Sequence, residues 1–258
     1  MIERKSNSIT MSKKANYSYV GISFIILLFG IIFIPKIIDR VSNKDINRTD
    51  ESRSKGVIVN PKSDAPNKSD VGYLVINEER KKVPEFSFTN QDGKTITNKD
   101  YLGQVYVVDF FFTTCPTICP RMSSNLASIQ NTFKDNPEFG IASFSIMPDN
   151  DTPEILKAYA ADYGVTSPNW HLMTGDKEAI YQLSNMGFNI FVNIENFEHS
   201  GDFALVDKEG YLRSRTDAFG NPKIFYKGVI SEQEKMDEDG NEQEITILKE
   251  DIAKLLQE

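Results

Sequence analysis

Cysteine and histidine are scarce, at two residues each in a chain of 258, and there is one tryptophan. A zinc ribbon, an iron–sulfur centre and a disulfide scaffold each need more of these residues, so all three are excluded. Positive charge is also short. Lys and Arg number 29 against 37 Asp and Glu, a formal net charge of −8. Phosphate backbones are held by clustered cations, which makes nucleic acid a poor partner. The apolar share of 40% is enough for a folded core but not for a multi-span membrane protein. Any metal or thiol chemistry has to come from a very small set of side chains.

The shortage of cations is uneven. Residues 1–48 hold eight Lys or Arg and three acids, net +5, and the remainder carries −13. Within the basic head an uncharged run of 21 residues extends from Ala15 to Pro35. As a helix it spans roughly 30 Å, one hydrocarbon core. Tyr17 and Tyr19 suit a membrane interface, and Arg4, Lys5, Lys13 and Lys14 place their flank in the cytoplasm. A cleaved signal peptide is the competing reading. The length of the run, and the lack of an A-x-A-like site after it, favour an uncleaved anchor. No cysteine stands nearby to carry a lipid. The expected organisation is a cytoplasmic tail over 1–14, a single-pass cell-membrane anchor over 15–38, a solvated polar tether over 39–70 and an extracytoplasmic folded domain over 71–258. Val57-Ile58-Val59 is too short an apolar run to alter the tether.

Within that domain, Val71–Ile76 reads as a strand, and Phe86–Phe88, a turn over Asn90–Lys94 and Thr95–Thr97 read as a hairpin. Val105–Phe112 is almost continuous in β-branched and aromatic residues, the mark of a strand buried on both faces. A helix is expected next, with Pro116 at its first position and a stripe of Met122, Leu126, Ile129 and Phe133. Ile141–Met147 is a strand, and Thr152-Pro153 caps a second helix ending near Gly164. Trp170–Met173 is a strand, Asp176–Met186 a helix ending at Gly187, and Phe203–Val206 with Tyr211–Arg215 a second hairpin. Glu232–Glu244 reads as a mobile acidic loop before a closing helix over Ile247–Leu256. Strands and helices alternate and a hairpin closes the sheet, which predicts an α/β fold of thioredoxin type.

Cys115 and Cys119 stand four apart where the central strand passes into a helix. At that spacing their Cα atoms lie about 6 Å apart, within reach of a disulfide or of one shared soft cation. The partial positive charge of a helix N-terminus favours thiolate. A purely structural disulfide is the bland alternative, but a bridge closing so short a loop removes little unfolded-chain entropy.

The run Asp109-Phe110-Phe111-Phe112-Thr113-Thr114-Cys115-Pro116-Thr117-Ile118-Cys119-Pro120 resembles the signature of the Sco/SenC family. Phe86–Lys94 resembles the family's entry hairpin, Ser145–Pro153 its S-x-D-P-x-x-D-T-P segment, and Trp170–Gly175 its W-x-x-x-T-G strand. His199-Ser200 matches the family's histidine. The resemblance covers about 84–216 and the closing helix. It implies a thioredoxin-like domain on a membrane anchor, binding one copper ion through Cys115, Cys119 and His199. It further implies a role in assembling the binuclear copper centre of cytochrome c oxidase, whose copper-bearing subunit is then the partner. Some members also reduce the cysteines of that subunit. Thiolates select Cu(I) and imidazole suits copper in either state, so the donor chemistry agrees. A monomer is expected.

Two positions depart from the pattern. Met147 stands where the family carries Asp, and is read as packing rather than as a ligand. Glu198 precedes the histidine where Asp is usual. Thioredoxins carry a proline in the loop facing the helix start. None lies between Asn189 and Gly220, which weakens a plain oxidoreductase reading. His171 is expected in the core or at an edge. Asp109 has either a structural role or a hydrogen bond near the site, and Arg121 either raises the local field or is merely exposed. Two hypotheses stay open: a copper carrier that needs all three ligands, and a thiol–disulfide reductant using Cys115 and Cys119 alone. A peroxidase would need a resolving-cysteine geometry and a peroxide-activating Arg that the sequence does not place.

Overall fold

The computed structural model describes Leu27, Phe29 and residues 56–59, 71–193, 198–216 and 223–258. The chain divides into two units, Met1–Arg53 and Ser54–Glu258. In the first, Leu27 and Phe29 are helical and exposed. The expected tail over 1–14, the other residues of the expected anchor over 15–38 and most of the tether lie outside the described residues. Among the described residues no helix is long and apolar enough to cross a membrane.

The second unit is built on a mixed sheet. Its strands are β1 (Gly56–Val59), β2 (Gly72–Ile76), β3 (Glu79–Arg80), β4 (Ser87–Asn90), β5 (Thr95–Thr97), β6 (Val105–Phe111), β7 (Phe139–Ser145), β8 (Trp170–Thr174), β9 (Val192–Asn193), β10 (Glu198–His199), β11 (Asp202–Val206), β12 (Leu212–Ser214) and β13 (Tyr226–Lys227). Its helices are α1 (Cys119–Thr132), α2 (Pro153–Asp162), α3 (Lys177–Gln182) and α4 (Ile245–Leu256). The main sheet runs β1-β2-β12-β11-β6-β7-β8-β4-β5, with β3 on β2 and β13 on β11. β6 pairs with β7, and β7 with β8, in parallel, Val108 facing Ala142 and Ser143 facing Leu172. Parallel neighbours need a crossover between them, and α1 and α2 supply it. All seven residues of β6 and all seven of β7 are buried, as their near-continuous apolar runs require. α1 packs on β7 and α4, α4 on β6, and α2 on β8 and β4. This is the thioredoxin-like α/β arrangement that the element order predicts.

Local signals act where expected. Thr152 caps α2, its side chain accepting from the Ile155 N–H, with Pro153 as the first helical residue. Asn90 Oδ1 accepts from the Asp92 and Lys94 N–H groups in the β4–β5 turn, and Gly93 supplies the positive φ of +74°.

The structure also corrects the sequence reading. The first helix starts at Cys119, not Pro116, with Pro120 in its opening turn. A helix begun at Pro116 would drive the Pro120 ring into the carbonyl four residues back and forfeit that bond. Cys115 therefore sits in the turn before the helix. The third helix passes through a π-turn over Leu183–Phe188 and ends on the left-handed Asn189 rather than at Gly187. A Cβ at Gly187 would crowd Leu183 and Pro84. Four residues of the expected tether form β1 along β2; they satisfy a sheet edge otherwise left bare. The acidic stretch 232–244 is tied down by cations distant in sequence: Glu232 pairs with Lys249, Glu234 with Arg121 and Glu244 with Lys223.

Candidate metal centre

Cys115 follows the end of β6 by four residues, Cys119 opens α1, and His199 comes from β10. Their donor atoms all lie within 4.8 Å of one another, and among the described residues they are the one such group of His, Cys, Asp or Glu. At metal–ligand bonds of about 2.0–2.3 Å, donors to one ion sit at most about 4.6 Å apart, so this spacing is close to what a shared ion needs. Both thiols are free.

The two thiols differ. Burial pushes the Cys115 thiol up, but its bonds with the Cys119 thiol, the Cys119 and Thr117 backbone N–H groups and the Thr117 hydroxyl outweigh this and lower its pKa. The Cys119 N–H lies 3.5 Å from Cys115 Sγ and Thr117 Oγ1 lies 3.8 Å away. Cys119 is fully buried, and burial together with the neighbouring Cys115 holds its thiol far above the ordinary range. The helix-start field thus serves Cys115, whereas the sequence argument assigned it to both. His199 Nε2 stands 3.0 Å from Cys119 Sγ. Burial lowers its pKa to about 4, which keeps the ring neutral and able to ligate near pH 7. Phe112 meets the ring edge-on, centroids 6.2 Å apart.

The turn that presents Cys115 has an anchor that sequence reasoning missed. Asp151, wholly buried, accepts from the Thr113 N–H at 3.0 Å, the Thr113 hydroxyl at 2.5 Å, Ser145 Oγ at 2.5 Å and Asn150 Nδ2 at 2.8 Å. It thereby fixes the residue two before Cys115 to the end of β7. Nothing local in Asp151-Thr152-Pro153 points to Thr113, which is 38 residues away.

The other candidates fall elsewhere. Met147 is partly buried against the core, its sulfur accepting from Thr114 Oγ1 at 3.5 Å. His171 is half-buried on β8 against Asn90 and Tyr101. Asp109 is buried in β6 and accepts from Ser143 Oγ at 2.5 Å, which in turn accepts from Trp170 Nε1. Arg121 is half-exposed and paired with Glu234 at 2.6 Å.

Fold and site together define a thioredoxin-like domain whose strand-to-helix turn and a facing histidine converge as a soft, three-donor centre. The chain belongs to the SCO1/SenC family, whose model matches residues 76–232. It is 36% identical over 156 residues to the SCO1 protein homolog of Bacillus subtilis, covering 58% of this chain and 80% of that protein. Among solved structures it is similar to a SCO1/SenC family lipoprotein from Bacillus anthracis, at 32% identity and a TM-score of 0.55 over 67% of this chain and 94% of that one. It is also similar to BsSco, described as a member of the Sco family of cytochrome c oxidase assembly proteins with a disulfide switch. There the identity is 29% and the TM-score 0.54, over 68% of this chain and 94% of that one.

Proposed function

We propose that this protein holds one copper ion between Cys115, Cys119 and His199 and serves the maturation of the binuclear copper centre of cytochrome c oxidase. The convergence of two thiols and a neutral imidazole within 4.8 Å carries the proposal. Thiolate sulfur selects Cu(I) over harder ions, and the imidazole keeps the site serviceable for copper in either state. Three protein ligands leave a position open, as a carrier that hands on its ion requires. Family membership and the oxidase-assembly role stated for BsSco support the same destination. The partner is the oxidase subunit that carries the centre, and the carrier is taken as a monomer. Residues 15–38 act as a single-pass anchor with the N-terminus cytoplasmic. The apolar run supports this; the description of a related chain as a lipoprotein supports attachment to a membrane but not a helical span.

Copper titration of the reduced full chain tests the proposal. Near-stoichiometric uptake is expected, lost in Cys115→Ser and Cys119→Ser and strongly weakened in His199→Ala. Unchanged affinity in His199→Ala sinks the ligand assignment.

A second reading is favoured by the unequal thiols. Cys115 as thiolate attacks a partner disulfide and releases one partner thiolate. Cys119, once deprotonated, attacks the mixed disulfide, which frees the second partner thiolate and leaves a Cys115–Cys119 disulfide. This activity needs both cysteines but not His199, so a disulfide-reduction assay on His199→Ala separates it from the carrier.

A further inference from the structure

His199 sits on a short ladder of its own. β9 and β10 form a two-stranded sheet, His199 opposite Val192, that is not part of the main sheet. A two-residue ladder fixes little by itself, so the aim of the ring depends on what holds the chain just beyond it.

Gly201, two residues on, has φ +69°. A Cβ there would fall 2.7 Å from Val229 Cγ2 and 3.4 Å from Ile118 Cδ1, so glycine lets this turn seat directly against the residue before α1. The Gly201 carbonyl accepts from the Gly228 N–H at 2.9 Å. The Gly228 carbonyl accepts from Asn125 Nδ2 at 2.8 Å. Asn125 is a buried polar residue on α1, the helix that opens with Cys119. Two successive hydrogen bonds therefore connect the thiol-bearing helix, through Gly228, to the turn that follows the histidine. β13 continues the connection, Asp202 and Phe203 pairing with Lys227 and Tyr226.

We propose that Asn125 is a positioning residue for His199, holding the imidazole against Cys119 through Gly228 and Gly201. Buried carboxamides keep hydrogen-bond partners because losing one is costly, and here the partner chain ends at the site. Groups that orient a ligand without touching the ion typically affect metal affinity by roughly 10- to 100-fold. The affinity part of the inference rests on the copper reading above; the positioning part does not.

The test uses the full chain, reduced, with two readouts. The first is the ring ¹⁵N–¹H spectrum of the metal-free protein, simple to assign because there are only two histidines. The second is Cu(I) affinity. Asn125→Leu, similar in shape but without a donor, is expected to shift or broaden the His199 ring signals, leave those of His171 in place and weaken Cu(I) binding roughly 10- to 100-fold. Gly201→Ala, which disturbs the far end with α1 untouched, is expected to do the same. Asn125→Ala extends the series, and if it fails to fold the other two variants decide. Unchanged His199 signals in folded Asn125→Leu and Gly201→Ala overturn the proposal, as do equal shifts at His171, which indicate general loosening. If the wild type takes up no copper while the His199 signals still move, the copper reading fails and the positioning role stands.

Discussion

Across 80 residues of chain, His199 Nε2 is brought to 3.0 Å from Cys119 Sγ, while the backbone N–H of Cys119 lies 3.5 Å from Cys115 Sγ. Cys119 thus faces the imidazole with its thiol and Cys115 with its backbone, and the two sulfurs are chemically unequal. Backbone bonds favour thiolate at both sulfurs, but at Cys119 the bond from Phe112 is outweighed by burial and by the neighbouring Cys115.

This inequality predicts the order of thiol reactivity. In the reduced, metal-free protein at pH 7.5, a small alkylating agent is expected to label Cys115 at least about tenfold faster than Cys119, since thiolate fraction and access both favour it. Peptide mapping after timed quenching measures the ratio. Equal rates, or faster labelling of Cys119, contradict the assignment.

Asp151 supports the turn that carries Cys115. Replacing it with Ala strands the Thr113 and Ser145 donors in the interior and is expected to cost about 3 kcal/mol in a urea titration. Asp151→Asn keeps acceptor capacity at Oδ1 and is expected to cost less. If Asp151→Ala unfolds at the wild-type urea midpoint, the carboxylate does not anchor the turn.

Much of this architecture was legible from the chain, for reasons that can be named. A strand buried on both faces has no polar face to show, so Val105–Phe112 stands out in the sequence, and the observed strand ends one residue earlier. Thr152-Pro153 is a local signal, and the structure uses it locally. The cysteine pair is conspicuous because the chain has only two cysteines, whereas His199 is singled out from His171 by its resemblance to the family's histidine. Long-range partners left no local mark. Asp151 reads as part of a helix start until Thr113 is placed beside it. Glu232 and Glu234 read as a solvated run until Lys249 and Arg121 arrive from other elements. Pro116 alone favours a helix start at that position, but the second proline four residues later excludes it, and α1 opens at Cys119.

Asp109 supplies a pH dependence with a definite sign. Burial raises its pKa to about 7, partly opposed by the Ser143 hydrogen bond. The folded state therefore binds this proton more tightly than the unfolded chain. The resulting stability is fully present below the unfolded pKa near 4 and is lost as pH rises through about 7. Asp109→Asn stays neutral throughout and keeps an oxygen for Ser143. Its stability relative to wild type is expected to rise between pH 4 and 8 by up to about 4 kcal/mol. Denaturant midpoints of both proteins across that range give the difference, from which other titrations cancel. A flat difference shows that Asp109 binds its proton no more tightly in the fold than in the unfolded chain.

Arg213 is among the largest fully buried side chains and carries a charge. Its guanidinium bonds Asp207 at 3.0 Å, Glu258 at 2.8 Å and the Val71 carbonyl at 2.7 Å, and lies 4.1 Å from the Tyr73 ring centroid. It joins the start of β2 to the end of the chain after α4. Removing one member of a buried ion cluster leaves the others desolvated and unpaired, at a cost of about 3–5 kcal/mol, so Arg213→Met is expected to unfold at markedly lower urea. Lys in its place keeps the charge but not the planar fork, and recovers only part of the loss. Asp207→Asn retains the Oδ1 acceptor for the Glu209 and Tyr211 N–H groups while removing the buried charge. Combined with Arg213→Met, it should therefore be less damaging than the two single losses added together. A strictly additive double-mutant cycle would show that Arg213 and Asp207 are not energetically coupled.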